Sequence, residues 1–239
     1  MIKRIISRAI CLMVSAILMI GVCGCMNTST NNPKFTVDEI LRYMNEKYAE
    51  EFTYIEPVDV NQPTASSLSI FVENESYPDK KIYAKCLFNT DTGEKLFCDN
   101  YVSFMYEEDV RTILTELSQG VYGDVKVRYA LNDTAASSDS TEDIPSLEQY
   151  LSRTSSAISY MILLPDEHDD ALYKEELEAL RDALKEKKVV CSITIAYSKD
   201  RAQYDSFVTD KWTNEHVVYK LRGDVRIGED FEIKFEEWR

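Results

Sequence analysis

The sequence predicts an α+β protein: an N-terminal helix on an antiparallel meander, then a second α+β segment containing a strand–helix–strand unit. Three observations carry this expectation. Thr36 and Glu39 stand three apart before an apolar period, with Phe35 and Ile40 set as a hydrophobic staple, and that pattern marks a helix start. Four extended runs follow. The last two are joined by Asn89-Thr90-Asp91-Thr92-Gly93-Glu94, a hairpin turn in which Gly93 suits a left-handed position. Beyond residue 146, helical and strand-like periods alternate.

In chain order, Val37, Ile40, Leu41, Met44 and Tyr48 share one face of the first helix, which the pattern ends near Glu50. Residues 52–58, 68–72, 81–88 and 95–102 read as strands. A second helix is expected over 103–119, with Tyr106, Val110, Ile113, Leu114 and Leu117 as its buried stripe and Gly120 as its stop. Residues 121–129 read as another strand. Ser146 and Gln149 form a second capping box on a short helix. A strand over 158–164, a helix over 171–186 and a strand over 189–197 are close enough for one crossover unit. Tyr173, Leu177, Leu180 and Leu184 share a face of that helix. A short helical patch near 201–207 and strands over 217–221 and 231–235 complete the chain. In element order, the N-terminal half is similar to the helix-on-sheet layout of cystatin-type modules, an order that carries no function.

The start of the chain has a different character. Lys3, Arg4 and Arg8 precede an apolar run over residues 10–22, and Gly21-Val22-Cys23-Gly24-Cys25 closes it. A charged region, a short apolar stretch and small residues before a cut make an export signal. About 13 apolar residues fall short of the roughly 20 that a spanning helix needs. The closing residues resemble the lipobox of bacterial lipoprotein precursors: aliphatic Val22, variable Cys23, small Gly24 and then Cys25. The resemblance implies cleavage before Cys25 and a diacylglyceryl group on its sulfur. Cys23 departs from the usual Ala, Ser or Thr at its position. Val22 before it would poorly fit a small-residue requirement, which keeps Cys25 as the modified residue. Residues 1–24 are thus read as a signal peptide and 25–34 as a lipidated tether. Residues 35–131 form a helix-plus-antiparallel-sheet module, 132–146 a polar linker or long loop, and 147–239 a second α+β module.

Composition excludes some functions. The signal holds three cations and no anions, so its loss moves the net charge from −15 to −18. That sign repels nucleic acid and leaves no expectation of a nucleic-acid partner. The expected neighbours are the membrane, through lipid on Cys25, and a protein, peptide or glycan partner at the cell surface. Fifteen tyrosines sit mostly in strand-like runs, where tyrosine is favoured.

The chemistry-bearing residues form no recognised catalytic set. Two histidines, His168 and His216, offer no zinc pattern of closely spaced imidazoles. Pairing His216 with a distant serine or Cys191 would rest on chance. No nucleophile elbow and no glycine-rich phosphate loop can be assembled. Asp166-Glu167-His168-Asp169-Asp170 lacks the alternating ligands of a calcium loop and reads as a solvated helix entry. Arg222-Gly223-Asp224 reads as a turn at a strand end. Cys86 and Cys98 form a candidate thiol pair or disulfide: a three-residue loop over 91–93 would pair Thr90 with Glu94 and set the two cysteines opposite each other. Cys191 reads as core. No catalytic residue, metal or cofactor is expected. The leading expectation is a non-enzymatic, lipid-anchored extracytoplasmic binding module. The alternative is a surface hydrolase of envelope polymers using paired carboxylates.

Overall fold

Thr36 caps the first helix as expected. Its Oγ1 accepts the Glu39 amide at 3.2 Å, and Glu39 Oε2 accepts the Thr36 amide at 3.1 Å. The computed structural model describes residues 35–58, 67–131, 143–153, 158–207 and 220–236. The signal, Cys25, the tether, most of the 132–146 segment and His216 lie outside the described residues. Helix α1 (Val37–Tyr48) buries Ile40, Met44 and Tyr48. It stops at Ala49, which takes the left-handed conformation at φ 53°. Strands β1 (Phe52–Pro57), β2 (Ser67–Asn74), β3 (Ile82–Phe88) and β4 (Lys95–Asp99) then form a sheet in sequence order, every pair antiparallel. A bulge between Tyr54 and Glu56 and the terminal Pro57 roughen β1, features that guard an edge strand against further pairing.

The β3–β4 hairpin corrects the expected cysteine pairing. Asn89 Oδ1 accepts the amides of Asp91 and Thr92 at 2.9 and 3.2 Å, and the Gly93 amide returns to the Asn89 carbonyl at 2.8 Å. Asn89 therefore faces Glu94 across a four-residue loop, one residue longer than expected. The register slips by one, so Cys98 stands opposite Lys85 and Cys86 opposite Phe97. A one-residue slip turns a side chain to the other face. Cys86 and Cys98 lie on opposite faces of the sheet, and both are free thiols.

Strand β4 also ends earlier than expected. Asp99 Oδ1 accepts the Tyr101 amide at 2.9 Å, and Asn100 Oδ1 accepts the Tyr83 amide at 2.8 Å, so these side chains turn the backbone out of the strand. Two helices follow, α2 (Tyr101–Met105) and α3 (Glu107–Tyr122). Gly120 does not stop α3 but lies inside it. The cap is Gly123, at φ 71°.

The second sheet has the order β5 (Lys126–Ala130), β6 (Ser159–Leu164), β7 (Cys191–Tyr197), β8 (Lys220–Ile227) and β9 (Ile233–Glu236). Only β6 and β7 pair in parallel among these, and the chain between them holds helix α5 (Tyr173–Glu186), entered through a 3₁₀ turn at Asp170–Leu172. This is the expected crossover. Ahead of it, helix α4 (Leu147–Leu151) starts on the expected Ser146–Gln149 capping box. Arg222-Gly223-Asp224 is not a turn. It lies inside β8, where the register shifts between Ile195 and Ala196 of β7, and Gly223 is buried beside that irregularity.

Sheet β1–β4 packs one face on α1, through Ile40 and Met44 against Leu68, Ile70, Val72 and Ile82. Sheet β5–β9 packs one face on α3 and α5, with Val110, Leu114, Leu177, Leu180 and Leu184 against Ile162, Ile193 and Ile195. Helix α6 (Arg201–Ser206) covers part of the other face, where Tyr204 meets Leu163 and Ala196. The residues of the two helix-facing surfaces belong to one continuous hydrophobic cluster.

Candidate functional site

A group of four glutamates surrounds the corner between α1 and β1. Ala49 turns the chain sharply, and Asn45 Oδ1 accepts the Phe52 amide at 3.0 Å, which pins the start of β1 beneath the helix end. Glu50 and Glu51 occupy that corner. The register sets Phe52 opposite Asn74 and Thr53 opposite Glu73, so one step beyond the ladder Glu51 flanks Glu75. The four glutamates, with Thr53 and Asn74, line an open cleft of about 540 Å³. Glu51, Glu73 and Glu75 are exposed and Glu50 is half-buried. None of the four forms an ion pair with a described Lys or Arg.

Behind the lining residues lie buried polar and aromatic groups that hold them. Tyr101, 1% exposed, donates its hydroxyl proton to Glu50 Oε2 at 2.7 Å, and Ser76 Oγ reaches the same oxygen at 3.3 Å. Asn74 Nδ2 donates to the Glu51 carbonyl at 3.0 Å, and its Oδ1 accepts the Ser76 amide at 2.7 Å. Tyr48, Phe52 and Tyr77 surround the Tyr101 ring edge-on at 4.7, 4.9 and 5.6 Å. Burial pushes the Tyr101 hydroxyl well above its ordinary pKa, and the Glu50 carboxylate adds to that. The proton therefore stays on Tyr101. Such an arrangement attracts a cation by charge, with Glu50 fixed and the other three carboxylates free to adapt.

A second polar cluster lies nearby but is sealed. Asp99 accepts Tyr48 Oη at 2.6 Å and the Tyr101 amide on Oδ1, and Tyr43 Oη and Lys47 Nζ, both at 3.0 Å, on Oδ2. The Asp99 and Lys47 side chains are 1% and 6% exposed, and the Lys47 ammonium sits over the Tyr43 and Tyr48 rings. Burial, reinforced by Asp99, raises the pKa of both tyrosines far above the ordinary value. Every Asp99 lone pair has a donor, so this cluster clamps α1 to β4 and presents nothing to a ligand.

The acidic run before α5 behaves partly as expected. Asp166, Glu167 and Asp169 are exposed, and Asp169 Oδ1 accepts the Ala171 amide at 2.9 Å, the role of a helix entry. His168 departs from it. The His168 amide bonds to the Pro165 carbonyl, and the ring turns inward between Tyr122 and Tyr197, with Nε2 2.6 Å from Glu176 Oε1. The neighbouring Glu167 carboxylate holds Asp166 above the usual carboxylate range. Arg201 joins this loop to its neighbours through Glu167, Asp124 and Asp205 at 3.2, 2.8 and 3.0 Å. Among the described residues, no group of three or more His, Cys, Asp or Glu side chains is arranged to hold a metal ion.

The three described cysteines are buried and free. Burial pushes Cys86 up to about 11 and Cys191 up to about 12, and raises Cys98 with help from Asp99. Such thiols stay protonated and unreactive near neutrality.

Sequence reasoning did not single out the cleft residues. The one available signal was the position of two acid-rich stretches, 50–51 and 73–75, at the ends of two adjacent strands. Turning that into a site needs the β1–β2 register. Among the described residues, no helix is long and apolar enough to cross a membrane. No family model matches the chain, and no curated protein matches it. Among solved structures, a DUF5037 family protein from Ruminococcus gnavus ATCC 29149 is similar over 83% of this chain and 94% of that one, at 12% identity and a TM-score of 0.38.

Proposed function

We propose that this protein is a lipid-anchored, extracytoplasmic binding module, non-enzymatic, held at the membrane through Cys25. The observation that carries the reading is the run from Lys3 to Cys25: cations, a short apolar stretch, then Val22-Cys23-Gly24-Cys25. Two acyl chains on one cysteine give stable anchoring where a single chain gives only marginal binding. The net charge of −18 after processing and the cleft of Glu50, Glu51, Glu73 and Glu75 support a cationic partner, with lysine- or arginine-bearing peptides as the favoured class.

Membrane fractionation tests the anchor. Cys25→Ser releases the protein from membranes or blocks its processing, whereas Cys23→Ser leaves both intact; equal effects of the two substitutions would contradict the assignment of Cys25. A lysine-rich peptide tests the cleft. Its binding should weaken with added salt and fall when Glu51, Glu73 and Glu75 are all replaced by Gln. Unchanged binding in that triple variant would place the partner elsewhere.

A further inference from the structure

We draw no further inference here: the strongest candidate, the cluster of Glu50, Glu51, Glu73 and Glu75 in the open cleft at the corner between α1 and β1, belongs to the site already described, and no second observation among the described residues points to what would occupy it.

Discussion

The two sheets solve the same problem, seating a helix on a strand surface, with different chemistry. Sheet β1–β4 holds α1 partly by apolar contact and partly through Asp99, which is 1% exposed and gathers Tyr43, Lys47 and Tyr48. Sheet β5–β9 holds α3 and α5 by an aliphatic seam in which Leu114, Leu180 and Leu184 are fully buried. The polar groups caught in that second seam are poorly served. Tyr160 Oη and Ser118 Oγ are buried near each other, and neither makes a well-formed hydrogen bond among the described residues. The first interface is specified by geometry, because a charged cluster is stable only in one arrangement. The second is specified by volume. A buried ion pair adds little net stability over an apolar equivalent, but losing one partner is severe. The clamp therefore serves to fix α1 and β4 in register, the arrangement that places Glu50 and Glu51 at the cleft.

Alkaline pH should produce the largest effect and reach both regions. Tyr43 and Tyr48 are raised by burial and by Asp99, while Tyr129 and Tyr160 are raised mainly by burial. A tyrosine whose folded pKa lies above its unfolded value of about 10 contributes stability that is complete below pH 10 and is lost as pH rises beyond it. Phenolate absorbance should stay suppressed in the native protein past pH 10 and then rise together with the loss of helix. Full titration of all tyrosines with the fold intact would contradict this burial.

Removing one partner from the clamp comes next. Asp99→Ala strands the Lys47 ammonium and should cost about 3–5 kcal/mol in urea unfolding. Pairing Lys47→Met with Asp99→Leu should recover part of that loss, and a fully additive result would mean that the two charges are not coupled. In the aliphatic seam, Leu180→Ala should cost about 3 kcal/mol through lost burial and the cavity left behind.

The sharpest comparison uses one substitution twice. Tyr48→Phe removes a donor at 2.6 Å from a buried carboxylate and should cost about 1–3 kcal/mol. Tyr160→Phe removes a buried hydroxyl whose hydrogen-bonding neighbour is the poorly placed Ser118 hydroxyl, and should change stability by less than about 1 kcal/mol, or improve it. Equal costs would erase the distinction between the two interfaces. Smallest of all, Asp169→Asn should cost no more than about 1 kcal/mol, the scale of a helix-entry contact, and calcium or zinc should leave the melting temperature unchanged.

Local chemistry made much of the fold legible in the sequence. Both capping boxes, at Thr36–Glu39 and Ser146–Gln149, depend on residues three apart and form as read. The crossover through α5 follows from apolar period and length alone. What escaped depends on side chains that compete with the backbone pattern. Asn89 bonds two amides in its own turn and adds a residue to the loop, which sends Cys86 and Cys98 to opposite faces. Asp99 and Asn100 capture the amides of Tyr101 and Tyr83 and so end a strand that the apolar pattern alone extends to Val102. Gly120 looked like a stop because glycine favours one, but Tyr122 is buried and draws the helix two residues further. The cleft was hidden for another reason. Its glutamates come from two stretches of sequence, and only the β1–β2 register and the turn at Ala49 bring them together.

The proposed cellular setting depends on lipidation at Cys25. Mass spectrometry of the N-terminal peptide from the membrane-extracted protein tests it most directly. The expected peptide begins at Cys25 and carries a diacylglyceryl group on the sulfur. An unmodified N-terminus at any other residue would contradict it.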